Sequence, residues 1–164
     1  MLQLGTYLAY LITPVKLPGS MKENGMKILL AENDKNFGIV LKTELEQENY
    51  EVDLVTNGTE AIFNFMERSY SLVILDMNIP RLSGIETLRI IKKLNPQIPV
   101  VAFSAHAYSK EISESIQHGA TKCLAKPFPL AQLTNDIRTF LSAQNTADAG
   151  CQMTEKRWTR DEGR

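Results

Sequence analysis

Asp76 closes the most apolar stretch of the chain, Leu72-Val73-Ile74-Leu75-Asp76, and three other apolar stretches also end on groups able to handle a phosphoryl oxygen. Ile28-Leu29-Leu30-Ala31 runs into Glu32-Asn33-Asp34, Val100-Val101-Ala102-Phe103 into Ser104, and Cys123-Leu124-Ala125 into Lys126-Pro127-Phe128. A carboxylate is ionised at neutral pH and can take a phosphoryl group as an acyl phosphate. That transfer depends mostly on positioning and on neutralising charge at the moving oxygens. Asp76 is the candidate nucleophile. Ser104 can donate a hydrogen bond to a phosphoryl oxygen, and Lys126 can supply a compact positive charge. Glu32 and Asp76 at neighbouring strand ends repel each other unless a cation sits between them. Hard oxygen ligands with retained waters suit Mg2+, and the backbone carbonyl of Asn78 is a further candidate ligand.

Taken singly, each residue has a plainer reading: an Asp after a strand caps helices and makes turns, a Ser there is a loop residue, and a Lys before Pro is a solvated charge. The coincidence of four suitable strand ends favours function. It requires the strands to be parallel and to share one edge, where open α/β sheets bind their ligands.

The elements between Met26 and Leu141 meet that requirement. Phe37, Val40, Leu41 and Leu45 recur at helical spacing after Asp34, a suitable cap. Tyr50 to Val55 reads as a second strand, followed by a turn signal at Asn57-Gly58. Ala61, Ile62, Phe65 and Met66 mark a second helix face, and Ile85, Leu88 and Ile91 a third that Asn95-Pro96 ends. Pro99 opens the strand to Phe103, and a more polar helix from about Ser109 to His118 ends at Gly119, placed as its C-terminal cap. Lys122 to Ala125 is the fifth strand, and Leu130, Leu133, Ile137, Phe140 and Leu141 give a last apolar face. Five strands alternating with five helices predict an α/β fold: a doubly wound, five-stranded parallel sheet in a three-layer sandwich, strand order 2-1-3-4-5.

Composition excludes several classes. Of 164 residues, 43% are hydrophobic and 23% charged, with a net charge of −1, so nothing in the overall balance predicts nucleic-acid or anionic-membrane binding. Cys123 and Cys151 lack metal-site or disulfide-framework spacing, which fits a reduced cytoplasmic setting. Leu2 to Ile12 is apolar but shorter than the about 20 residues a membrane span needs, and it lacks the features of a secretory signal. Residues 1–25 therefore read as an extension, disordered or preceding the true start, with Pro14, Pro18 and Gly19 as linker and Met21 and Met26 after them as alternative starts. Residues 26–142 form the expected domain. Residues 143–164 read as a disordered tail of mixed charge.

With these residues in view, the chain resembles the receiver domains of two-component response regulators over Lys27 to about Leu141. Ile28 to Asp34 looks like the family's first strand and acidic cluster. Leu72 to Pro80 with Leu82-Ser83-Gly84 is similar to its phosphoacceptor segment, Ser104-Ala105 to its hydroxyl residue and small neighbour, and Lys126-Pro127-Phe128 to its lysine and the following proline, usually cis there. The resemblance implies that Asp76 accepts a phosphoryl group from a sensor histidine kinase or phosphotransfer protein. It implies Mg2+ held by Glu32, Asn33, Asp76 and Asn78, assistance from Ser104 and Lys126, and output to a protein partner through the face of the fourth helix, fifth strand and fifth helix.

Two positions depart from the family pattern. The second acid of the cluster, typically a direct metal ligand, is Asn33, whose neutral amide implies weaker Mg2+ affinity; Asp34 points elsewhere in that register. Cys123 stands three residues before Lys126, where the family often has an aromatic ring that moves with the switch. His106, just past Ser104, reads as a surface residue.

The leading expectation is a stand-alone phosphorylatable receiver, not an enzyme, with the fourth helix and an exposed Cys123 on its output face. A degenerate receiver binding partners without phosphorylation is the alternative that Asn33 favours. A phosphatase of the haloacid dehalogenase type fits poorly: its acids come last, and Asn78 stands where a second Asp would act as general acid.

Overall fold

The computed structural model describes residues 25–105 and 110–151. The expectations for residues 1–24, for His106 and for residues 152–164 lie outside the described residues.

Five strands and five helices alternate: β1 (Lys27–Ala31), α1 (Lys35–Gln47), β2 (Glu51–Val55), α2 (Gly58–Glu67), β3 (Leu72–Asp76), α3 (Gly84–Leu94), β4 (Val100–Ser104), α4 (Lys110–Gln117), β5 (Lys122–Ala125) and α5 (Leu130–Cys151). The strands are all parallel, in the expected order β2-β1-β3-β4-β5. Side-chain alternation splits the core in two. Ile28, Leu30, Leu72, Ile74, Val101 and Phe103 face Leu41, Leu45, Leu133, Ile137 and Leu141 of α1 and α5. Leu29, Ala31, Val73, Leu75, Val100 and Ala102 face Ala61, Leu88 and Ile91 of α2 and α3. Burial on both faces explains why the strands read as continuous apolar runs.

Side-chain caps fix where the helices begin. Asp34 accepts the backbone N–H groups of Asn36 and Phe37 at the start of α1. Asn57, expected in a turn, caps α2 by accepting from the Glu60 N–H. Ser83 and Glu86 form a reciprocal capping box on α3, each accepting the other's backbone N–H. Gly119, with φ of +92°, ends α4, as its sequence position predicted.

Three expectations need correction. Val40 and Met66, assigned to apolar helix faces, are exposed at 51% and 68%. On α1, Gly38, Leu41 and Leu45 suffice to close the interface, and Leu54 packs in the space that a Gly38 side chain would fill. The last helix runs on to Cys151, nine residues past the expected boundary at Ser142. Residues after Ser142 carry no apolar period in the sequence that would signal this extension. Among the described residues, no helix is long and apolar enough to cross a membrane.

Candidate functional site

The parallel register gathers the strand ends. Ala31 pairs with Leu75, Asp76 with Phe103 and Ser104 with Ala125, so Glu32, Asp76, Ser104 and Lys126 emerge at one edge. The ladder continues one step past the strands. Glu32 donates its N–H to the Val55 carbonyl at 3.0 Å, Met77 to Phe103 at 2.9 Å and Lys126 to Ser104 at 2.8 Å.

Lys126 is the centre of the cluster. Its Nζ donates to Glu32 Oε2 at 2.7 Å and to Asp76 Oδ2 at 2.8 Å, joining residues 94 and 50 positions away in sequence. The remaining carboxylate oxygens are also engaged. Glu32 Oε1 accepts from the Asp34 N–H at 3.0 Å, and Asp76 Oδ1 accepts from the Asn78 N–H at 2.8 Å. Glu32 is 1% exposed and Asp76 6%. Burial pushes the Glu32 carboxyl up, and the Asp76 charge adds to that, while hydrogen bonds from Lys126 and Asp34 oppose it. Burial pulls the Lys126 ammonium down, but its bonds and charge interactions with Asp76 and Glu32 outweigh burial and leave it above the ordinary lysine value.

Aromatic rings support that lysine. The Lys126 Nζ lies 4.8 Å from the centroid of Phe37 and 5.7 Å from that of Phe103. Phe128 packs on both rings, with centroids 6.1 and 4.6 Å away. Phe37, on a helix face in the sequence, thus lies under the ammonium, while Phe128 backs the Phe37 and Phe103 rings. The Lys126–Pro127 peptide is cis. A cleft of about 450 Å³ lined by Asp34, Phe37, Ala105, Lys126, Pro127 and Phe128 opens onto the cluster.

Ser104 is 3% exposed, and its Oγ lies 3.5 Å from Glu111 Oε2 at the start of α4. Glu111 was not singled out in the sequence, because a contact from strand end to the next helix has no local signal. Ser115 on α4, fully buried, donates to the Glu111 carbonyl at 2.6 Å and lies 3.0 Å from the sulfur of Met77, next to Asp76. Cys123, expected to be exposed, is half-buried, its Sγ 3.9 Å from the Ile112 carbonyl, and burial raises its thiol pKa. It lies at the helix interface because α4 packs over β5.

Gly84 has a structural requirement that only the fold reveals. A Cβ there would strike the Met77 backbone and come within 2.7 Å of the Asp76 carbonyl oxygen. The loop after β3 can therefore fold tightly under α3 only with glycine at that position.

The groups that would hold a hard cation here are the carboxylates of Glu32 and Asp76, with the Asn33 amide and the Asn78 backbone carbonyl as the expected neutral donors. Asn33 is exposed and Asp34 is committed to capping α1. Among the described residues there is no group of three or more His, Cys, Asp or Glu side chains placed to hold a metal. The oxygen-only chemistry fits Mg2+ with retained waters, with two charged ligands in place of three.

Comparison with known proteins accounts for this arrangement. The profile of the response regulator receiver domain matches residues 28–138. The uncharacterized transcriptional regulatory protein YkoG of Bacillus subtilis (strain 168) is 36% identical over 129 residues, covering 77% of this chain and 57% of that protein. The transcriptional regulatory protein CpxR homolog of Haemophilus influenzae (strain ATCC 51907 / DSM 11121 / KW20 / Rd) is 37% identical over 115 residues, covering 70% of this chain and 50% of that protein. The chain thus spans about half the length of the curated relatives it matches. Among solved structures, the receiver domain of the sensor histidine kinase PA1611 from Pseudomonas aeruginosa PAO1, with a magnesium ion coordinated in its active-site cleft, superposes with a TM-score of 0.68 at 28% identity, covering 72% of this chain and 98% of that one. The Francisella response regulator 1452 receiver domain gives 0.69 at 28% identity, covering 73% and 99%. The strand order, the clustered strand ends and the profile match agree: the chain belongs to the response regulator receiver domain family, whose members act in two-component signalling.

Proposed function

We propose that Asp76 accepts a phosphoryl group from a phosphohistidine donor on a sensor histidine kinase or phosphotransfer protein. The observation that carries this reading is the convergence of Glu32, Asp76 and Lys126, drawn from three strand ends to within 2.8 Å of one ammonium.

One oxygen of Asp76 attacks phosphorus, the new O–P bond forms as the donor's P–N bond breaks, and the imidazole leaves with the electron pair. Lys126 lies against Asp76 and neutralises charge on the acyl phosphate as it forms. Ser104 Oγ, near Glu111 in the resting structure, turns to donate to a phosphoryl oxygen. Burial of the carboxylates limits access of bulk water. Mg2+ bound by Glu32, Asn33, Asp76 and the Asn78 carbonyl would offset the charge of the transferring oxygens.

Phosphorylation adds roughly −1.5 to −2 charge beside Ser104 and Glu111. Glu111 is then repelled as Ser104 is drawn away, so α4 reports the change to a protein partner on the α4–β5–α5 face. This is signalling in the cytoplasm with no direct nucleic-acid or membrane contact from the described domain.

The test is exposure to a small-molecule phosphodonor such as acetyl phosphate, with and without Mg2+, read by intact mass. A Mg2+-dependent gain of one phosphoryl group, abolished in Asp76→Asn, is expected. Asn33 in place of an acid favours a second reading, a receiver that binds its partner without phosphorylation. No mass gain at saturating donor and Mg2+ would select it.

A further inference from the structure

Helix α2 carries apolar side chains on a second face, away from the sheet. Thr59, Ile62, Phe63 and Met66 recur at spacings of three and four residues, which brings them together along the helix. Ala61 is fully buried against the strands, whereas Phe63 is 63% and Met66 68% exposed. With Leu82 these four residues line a groove of about 260 Å³ whose lining contains no charged side chain. Its far wall is fixed. A Cβ at Gly58 would strike the Leu82 backbone, so glycine there lets the loop after β3 close onto the start of α2. The Gly58 N–H donates to the Pro80 carbonyl at 3.3 Å in that contact. An exposed, preformed apolar groove of this kind marks a docking site.

The chain carries a matching segment. Residues 1–15 contain no Asp, Glu, Lys or Arg, and Leu4, Tyr7, Leu8 and Leu11 repeat the same three- and four-residue spacing. The point of attachment is also suitable. The Met26 carbonyl accepts from the Glu51 N–H at 3.1 Å and the Lys27 carbonyl from the Ser71 N–H at 2.8 Å. The segment therefore joins the sheet at the edge where β2 and β3 begin, and α2 runs back to that edge. Met66 precedes Ser71 by five residues, at most about 18 Å of chain. Residues 13–24 supply about 40 Å of extended linker, and the groove from Thr59 to Met66 is about 11 Å long. The reach is ample. A short tether also holds the segment at roughly millimolar effective concentration, so modest contacts suffice.

We propose that residues 1–12 of this chain dock in the α2 groove as an intramolecular cover, setting their leucines and tyrosines against Ile62, Phe63, Met66 and Leu82. The α2 face is then closed to other partners while the segment is bound. The proposal does not depend on the receiver reading of the Asp76 site.

The experiment is limited digestion of the full chain with chymotrypsin, following the cuts after Tyr7 and Tyr10 by mass. Cleavage of a docked segment tracks the population that has opened, so Phe63→Asp should speed both cuts about tenfold. In the reverse direction, Leu8→Asp should shift the methyl resonance of Met66 in the nuclear magnetic resonance spectrum. Wild-type protection should be unchanged on dilution, because the contact is within one chain. Equal cleavage of wild type and Phe63→Asp would overturn the proposal, as would a Met66 resonance unmoved by Leu8→Asp. Protection that disappears on dilution would overturn it too, and would give the groove to a second copy of the chain. Circular dichroism checks the fold of each variant. Should Phe63→Asp fail to fold, Met66→Glu replaces it, and Leu8→Asp leaves the described domain unaltered.

Discussion

Replacing Lys126 with Met removes the counter-charge from two buried carboxylates while keeping an apolar stem among Phe37, Phe103 and Phe128. Taking away one partner of a buried ion pair typically costs about 3–5 kcal/mol. The low end applies, because the Lys126 side chain retains 25% exposure and water screens part of its charge. Lost contact with the aromatic faces contributes about 0.5 kcal/mol more, and the total is about 3 kcal/mol. With a urea dependence of about 1.5 kcal/mol per molar for a domain of this size, the unfolding midpoint falls by about 2 M.

The assay is urea unfolding in EDTA at pH 7, followed by circular dichroism. The double variant Glu32→Gln/Lys126→Met removes the repulsion and should recover to within about 1 kcal/mol of wild type, a coupling that non-interacting residues would not show. The pH dependence has a definite sign. Glu32 has its folded pKa raised by burial, so its ionised form opposes folding above that pKa, and the penalty fades as pH falls toward the ordinary carboxylate value. The deficit of Lys126→Met therefore narrows on acidification from pH 7. A single variant within about 0.5 kcal/mol of wild type at pH 7 would refute the reasoning, since it would mean that the carboxylates do not depend on the ammonium.

Two further outcomes follow from the same geometry. Gly84→Ala forces a methyl group against the Met77 backbone and to 2.7 Å from the Asp76 carbonyl oxygen, so thermal unfolding should show a loss of about 1–3 kcal/mol and slower phosphorylation of Asp76. On the edge strand β2, burial opposes the Asp53 charge, but bonds from Tyr70 at 2.7 Å and Arg68 at 2.8 Å, with the Lys27 charge, outweigh it and hold the carboxyl below its ordinary value. Asp53→Asn should cost about 1 kcal/mol at pH 7, because Arg68 is half exposed. That stability is present above roughly pH 4 and is lost as pH falls through the depressed pKa, so the two melting curves converge in acid.

The strand ends were legible in the sequence because buried parallel strands carry a strong apolar signal and stop abruptly. Glu32, Asp76, Ser104 and Lys126 follow such runs directly, and the register brings them to one edge. Helix faces were less legible. Val40 and Met66 fit the helical period, but a helix on one side of a sheet buries only a narrow stripe, and both fall outside it. Contacts between elements left no local trace: Glu111 beside Ser104, Phe37 under the Lys126 ammonium and Ser115 on Met77 depend on how α4 and α1 dock. The final helix extends past Ser142, where the sequence has no apolar period to signal it. Asn57 reads as a turn residue for the same chemistry that makes it a cap, a short side chain that accepts nearby N–H groups.

The most direct test of the account is where the phosphoryl group goes. Protein treated with acetyl phosphate and Mg2+ would be reduced with borohydride, which converts an aspartyl phosphate to homoserine, and its peptides mapped by mass spectrometry. Homoserine at position 76, dependent on the phosphodonor and absent from Asp76→Asn, is the predicted result. A trapped product at any other residue, or none in protein that carries a phosphoryl group, would contradict Asp76 as the acceptor.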